Sequence, residues 1–280
     1  MIGTQCFRTI TLATSVFLAA VLPVSLPSAH ADGSGTAVTR SVGQEPGHPI
    51  ILYPGREGTA AAYCPQGTKP SGGGAAVESD PLAPVYFQES APDPERNRWV
   101  VHAYNASDKV QTVHPRVICT TDSSINFNVG PDSSIDPGDF NSANGAGCSN
   151  TQFVVGGGVQ AGPKTFVMWS DWSSVRSWTA GAKYTDFSPD APLSYVRAFA
   201  ICSDTQPTLR VSVTSVEAGA VGTAHAECPA GQVPTGGGAD IGLDSLLNGS
   251  GPTATGWTAQ GTNHSEGPRN LETSVFCTTP

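Results

Sequence analysis

The sequence predicts an all-β chain built from three similar units, each stapled by a disulfide. The stretch Cys64-Pro65-Gln66-Gly67-Thr68-Lys69-Pro70-Ser71-Gly72-Gly73-Gly74 returns as Cys148 to Gly156-Gly157-Gly158. It returns again as Cys228 to Gly236-Gly237-Gly238. A cysteine precedes a Gly triplet at one fixed spacing, which makes the chain an internal repeat. Charged residues make up only 13% of the chain, while Gly (32) and Pro (23) are abundant. That balance suits many short strands joined by turns. No window carries a helical period with caps.

Taken in order, the chain opens with Arg8, an apolar run from Ile10 to Leu26, and Ser28-Ala29-His30-Ala31. This reads as a secretory signal peptide over residues 1–31, cut before Asp32. Pro23 and Pro27 interrupt the apolar run, and no Lys- or Arg-rich flank follows, which argues against a membrane anchor. No later stretch is apolar for long enough to span a bilayer. A short segment, 32–36, leads into repeats at 37–119, 120–202 and 203–280.

Each repeat reads as four or five strands. The first alternates, as in Ile125, Phe127 and Val129 or Leu209, Val211 and Val213, with a weaker counterpart at Val38 and Val42. A turn then ends on Gly55, Gly138 or Gly219. The next strand carries the first cysteine into the Gly triplet. A third is Val85-Tyr86-Phe87, matched by Phe166-Val167-Met168-Trp169 and Ser245-Leu246-Leu247. The fourth starts at the repeated Trp99, Trp178 or Trp257, with Asn105, Tyr184 or Asn263 six positions on. The last ends at Val117-Ile118-Cys119, Ala200-Ile201-Cys202 or Val275-Phe276-Cys277. Period-2 alternation broken by Gly, Pro, Asn and Asp supports these strands. The Gly triplet reads as a place where a backbone or a Trp ring comes close. A phosphate loop would need a Lys after the glycines, and none follows.

Loss of Cys6 with the signal leaves six cysteines, an even number that suits disulfides in an exported chain. Two pairings treat the repeats alike. One runs within each unit, Cys64–Cys119, Cys148–Cys202 and Cys228–Cys277. The other joins neighbours, Cys119–Cys148 and Cys202–Cys228, with Cys64–Cys277 closing a ring. The first is favoured, because both cysteines then lie on extended segments of one unit. No close C-x-x-C or Cys/His spacing supports a metal site.

The Cys-Pro-x-Gly opening, the Gly triplet, the mid-repeat Trp and the closing apolar-Cys resemble repeats of secreted proteins of actinobacterial type. That resemblance covers nearly all of the chain after the signal and brings no activity with it. Three repeats that each hold a Cys-rich strand followed by Gly, and close on a strand ending in Cys, are also similar to the vitelline membrane outer layer protein family. The similarity extends to Arg269-Asn270-Leu271 through Cys277, although the acidic run before that Asn is absent and the repeats here are longer. It implies a β-prism of three sheets about a pseudo-threefold axis; a trefoil-like body also fits.

No G-x-S-x-G elbow, H-E-x-x-H or EF-hand loop is present. His48, His102, His114, His225 and His264 do not recur in matching positions, and no nucleophile partner stands beside them in sequence. The acidic turn Asp132 to Asp139 has oxygen ligands suited to Ca²⁺, but reads better as a solvated turn. A role without catalysis and without a cofactor is therefore expected. Formal charge of −9 argues against nucleic acid and anionic membrane as partners. Asn105-Ala106-Ser107, Asn248-Gly249-Ser250 and Asn263-His264-Ser265 fit the glycosylation pattern by coincidence. Residues that differ between repeats are the candidates for binding: Trp169 and Trp172, with Tyr86 and Phe87 in the equivalent segment of the first repeat. Aromatic faces suit sugar rings or partner proteins. The expectation is a secreted binding or surface-associated structural module for extracellular or cell-wall glycan, with inhibition of an extracellular protease as the alternative. The sequence leaves the oligomeric state open.

Overall fold

The computed structural model describes residues 42–77, 83–188 and 190–280, all within one compact unit, Thr39–Pro280. Residues 1–31, read from the sequence as a signal peptide, residues 32–36 and Val38 lie outside the described residues. The first repeat forms β1 (Val42–Pro46), β2 (Ile50–Leu52), β3 (Glu57–Tyr63), β4 (Lys69–Val77), β5 (Val85–Asp93), β6 (Arg98–Asn105) and β7 (Gln111–Thr120). The second forms β8 (Asn126–Val129), β9 (Ser133–Ile135), β10 (Phe140–Gly147), β11 (Phe153–Ala161), β12 (Thr165–Ser174), β13 (Ser177–Tyr184) and β14 (Ser194–Ser203). The third forms β15 (Thr208–Val216), β16 (Val221–Glu227), β17 (Val233–Asp240), β18 (Ser245–Pro252), β19 (Gly256–Asn263) and β20 (Arg269–Thr278). One 3-10 turn, Pro94–Arg96, separates β5 from β6.

Each repeat thus has six strand positions rather than four or five. The added one precedes the cysteine, as β3, β10 and β16. Cys64, Cys148 and Cys228 sit in the turn after it, not on a strand running into the triplet. The turns close through Thr68 N–H to Pro65 O (3.1 Å), Gln152 N–H to Ser149 O (3.0 Å) and Gln232 N–H to Pro229 O (3.0 Å). Gly55, Gly138 and Gly219 end their turns at φ of 69°, 78° and 73°, where a side chain would be strained.

The strands are shared between repeats. Sheet I runs β1-β7-β4-β18-β19-β16, with β2 also on β7; sheet II runs β3-β6-β5-β11-β14-β8, with β9 also on β14; sheet III runs β10-β13-β12-β17-β20-β15. Every repeat gives its first, triplet and last strands to one sheet and the other three to the next. The exchange closes after three steps, giving pseudo-threefold order. β4, β11 and β17 touch one another, and so do β5, β12 and β18.

The three glycines of each triplet meet three different neighbours. The first glycines converge: a Cβ on Gly72 would stand 2.6 Å from Gly236 Cα, and one on Gly236 would stand 2.7 Å from Gly156 Cα. The second lies under its own repeat's Trp, which reaches over from another sheet. A Cβ on Gly73, Gly157 or Gly237 would meet the ring of Trp99, Trp178 or Trp257 at 2.5–2.6 Å or less. The third admits the adjacent repeat's strand. A Cβ on Gly74, Gly158 or Gly238 would stand 2.8–2.9 Å from Gly251, Ala91 or Asp171 Cα. The Trp rings are buried, and their Nε1–H groups donate to Ser90 Oγ (3.0 Å), Ser170 Oγ (3.0 Å) and Ser250 Oγ (2.9 Å). Each buried donor is satisfied.

Cys64–Cys119, Cys148–Cys202 and Cys228–Cys277 are bonded, with Cα–Cα distances of 5.5, 5.6 and 5.7 Å. Each bond fixes the point where the chain leaves one sheet for another, tying it to the last strand of the same repeat. A loop of this length stabilises by about 4 kcal/mol in the chain-entropy account. Asn105, Asn248 and Asn263 are fully buried. Asn105 Nδ2 donates to Leu52 O (2.9 Å) and Lys109 O (2.7 Å), and Asn263 Nδ2 to Val216 O (2.9 Å) and Gly267 O (2.8 Å). Ser107 and Ser265 donate to Asn105 Oδ1 and Asn263 Oδ1, so these two Asn-x-Ser stretches mark loop-holding asparagines, whereas Asn248 donates to Ala83 O (3.2 Å).

Gly157→Ala should lower stability by about 1–3 kcal/mol, because Trp178 must be displaced. Gly43→Ala, with no atom within 4 Å of the new Cβ, should be near neutral. Urea unfolding of both variants checks this; equal midpoints would refute the close-contact account.

Candidate functional site

The four aromatic candidates separate. Phe87 is 2% exposed and lies in the main core. Tyr86, its neighbour, takes the opposite face of β5, as period 2 requires. Trp169 pairs with Gly181 and Trp172 with Trp178 across the regular register of β12 and β13. The two are three residues apart, so they occupy opposite faces and form no common platform. Trp169 is half-buried, its ring over Gly181. Trp172 lines a separate apolar cleft of about 160 Å³ with Phe153, Val175, Leu209 and Phe276.

Tyr86 and Trp169 do come together around a satellite cluster of Phe166, Met168 and Leu246, where Tyr104 also packs. Tyr86, Phe166 and Leu246 stand four residues ahead of Ser90, Ser170 and Ser250, hence at the same position of three repeats. They meet because β5, β12 and β18 meet. The Tyr86 and Phe166 ring centroids are 5.7 Å apart, and those of Tyr104 and Phe166 are 5.6 Å apart. The His264 ring stands edge-on to Tyr86 at 5.8 Å, with Nε2 3.2 Å from Tyr86 Oη.

Beside this cluster opens a cleft of about 730 Å³ lined by residues that include Lys183, Asp244, Leu246, His264, Glu266 and Arg269. The loop after β19 forms one wall, and buried Asn263 holds it from below. Asn263 Oδ1 accepts from Ser265 N–H (2.9 Å), while His264 N–H donates to Asp244 O (3.0 Å). Arg269 Nε donates to Ser265 Oγ (3.1 Å), and Lys183 Nζ lies 5.7 Å from the Phe140 ring centroid. Burial raises the Tyr86 phenol above its ordinary range and lowers the His264 imidazole below its own. The phenol thus stays protonated, and the imidazole stays neutral, at neutral pH.

The outer sheet faces carry further chemistry that the sequence did not reveal. Thr59, His102, Glu89, Gln160 and Arg197 stand opposite one another in one row across sheet II. Thr59 Oγ1 is 2.9 Å from His102 Nδ1, and Gln160 Nε2 donates to Glu89 Oε1 (3.2 Å). Burial, followed by the charge of Asp93, pushes Glu89 up to about 7. Arg197 ends the row in a two-point ion pair with Asp132 at 2.5 and 2.9 Å, which occupies the first carboxylate of the acidic turn. The matching row of sheet III is Trp169, Asp240 and Glu272. Among the described residues, no group of three or more His, Cys, Asp or Glu side chains is placed to hold a metal ion.

Asp171 belongs beside that second row and is 4% exposed. Its Oδ1 accepts from Ser274 Oγ (2.5 Å) and Trp172 N–H (2.8 Å). Burial pushes the carboxyl up to about 8, with Glu272 and Asp240 adding to the rise. The folded chain therefore keeps a proton that the unfolded chain releases near pH 4. Stability must fall as pH rises from about 4 to about 8. Asp171→Asn keeps the acceptor and removes the charge. It should gain at least about 1 kcal/mol over the parent at pH 8 and lose that advantage near pH 4. Urea midpoints across this range check it, and a pH-independent difference would refute a neutral buried acid.

A scan against protein-family models matches none, and a search of curated proteins returns no significant relative.

Proposed function

We propose that this chain is an extracellular glycan-binding module whose binding surface is the cleft beside Tyr86. The observation that carries the proposal is the convergence of the repeat-equivalent Tyr86, Phe166 and Leu246 beside a cleft that Leu246 lines together with hydrogen-bonding side chains of both charges. An aromatic surface packs on the apolar face of a sugar ring, and polar side chains at the rim hold its hydroxyls. Trp169, packed on the same cluster, extends the aromatic surface. Export through the signal peptide and three disulfides fit an oxidising exterior. The repeated residues form the frame, and the residues that vary between repeats give the cleft its character.

Cell-wall pull-down and a glycan array test the proposal. Tyr86→Ala and Arg269→Ala should each weaken retention about tenfold or more, the size of one lost aromatic or charge-assisted contact. Trp172→Ala, in the other cleft, should not. A blank array, together with nanomolar inhibition of a secreted protease, would replace the glycan reading with the inhibitor reading.

A further inference from the structure

We infer, resting on the glycan reading of this cleft, that it is a β-eliminating site for uronate-containing glycans, with His264 as base, Tyr86 as acid and Arg269 and Lys183 as carboxylate holders. Elimination from a uronate needs three things. A base must take the proton on the carbon bearing the carboxylate. A cation must stabilise the charge that spreads onto that carboxylate. An acid must protonate the departing oxygen. One wall of the cleft supplies the imidazole, and the phenol is already hydrogen-bonded to it at 3.2 Å. Arg269 uses its Nε–H on Ser265, and the guanidinium has further N–H donors for a planar carboxylate. Lys183 also lines the cleft. Such a reaction needs no metal, redox partner or water, so the side chains present suffice.

The step balances. With Nε2–H donated to Tyr86 Oη, the lone pair of His264 Nδ1 takes the proton from C5 of the uronate. The C–H electron pair becomes the C4–C5 double bond, and the C4–O pair leaves with the glycosidic oxygen. That oxygen takes the phenol proton, the imidazolium passes its Nε2 proton to the phenolate, and the proton left on Nδ1 exchanges with solvent to restore the starting tautomer. The products are a new reducing end and an unsaturated uronate conjugated with its carboxylate. The raised phenol and the lowered imidazole keep both groups in the protonation states this step starts from. Asp244 and Glu266 also line the cleft and would repel a second carboxylate. The geometry therefore favours chains in which uronates alternate with uncharged sugars.

The test uses the complete secreted chain with hyaluronan as an alternating uronate polymer, read by ultraviolet absorbance of the unsaturated product and, separately, by affinity electrophoresis. Turnover is expected. His264→Gln and Arg269→Gln should lower kcat/KM about 10²–10⁴-fold and Tyr86→Phe by a similar factor, the range for general acid–base groups. Retention of hyaluronan without turnover would overturn the elimination and leave the glycan reading standing. Turnover unchanged in His264→Gln would also overturn it. Absence of both retention and turnover would overturn the inference; only a blank glycan array would remove the underlying reading as well.

Discussion

The structure depends on three backbones approaching so closely that no Cβ fits between them. Gly72, Gly156 and Gly236 occupy that meeting point. Any side chain there would push apart strands that each begin a different sheet junction. Because the three positions are equivalent, the constraint repeats with the chain and explains why a Gly triplet must occur three times. The adjacent glycine then accepts the repeated Trp from another sheet, and the third accepts the strand of the next repeat. One short motif thus serves the centre, the core and the seam.

Sharing strands between repeats makes the repeats interdependent. A single unit of about 80 residues with Gly-rich strands has too little core to fold alone. Here each sheet draws on two repeats, and the main hydrophobic cluster spans all three. The disulfides hold the crossings from sheet to sheet, where a strand could otherwise join the wrong neighbour. At the far end of β5, β12 and β18 the same order brings three equivalent side chains together. There the frame no longer dictates the residue, and Tyr, Phe and Leu differ. The cleft and its titratable groups lie beside this point.

The frame was legible because repetition exposed it. Gly triplets, Trp residues and cysteines recur at fixed spacing, and the within-repeat disulfides follow. Ser90, Ser170 and Ser250 escaped notice because hairpin connections of different length put them nine, eight and seven residues before their Trp. Strand exchange was not legible, since sequence order does not say which sheet receives a strand. Trp169 and Trp172 hold a different lesson. Their three-residue spacing already placed them on opposite faces of a strand, yet their proximity in sequence suggested one site. Tyr86 and His264 lie 178 residues apart, and no local motif could link them. The same distance hid the row from Thr59 to Arg197 and the burial of Asp171 against Ser274.

The interdependence of the repeats can be tested directly by removing one. A chain ending at Ser203 keeps every residue of the first two repeats and both of their disulfides, but sheets I and III each lose three strands. Amide hydrogen exchange on this chain, oxidised and at neutral pH, should show no protected strands in sheets I and III and no cooperative unfolding transition. Native-like protection of β4 and β12, with a sharp transition, would show that two repeats fold by themselves and would contradict a frame closed through its glycines.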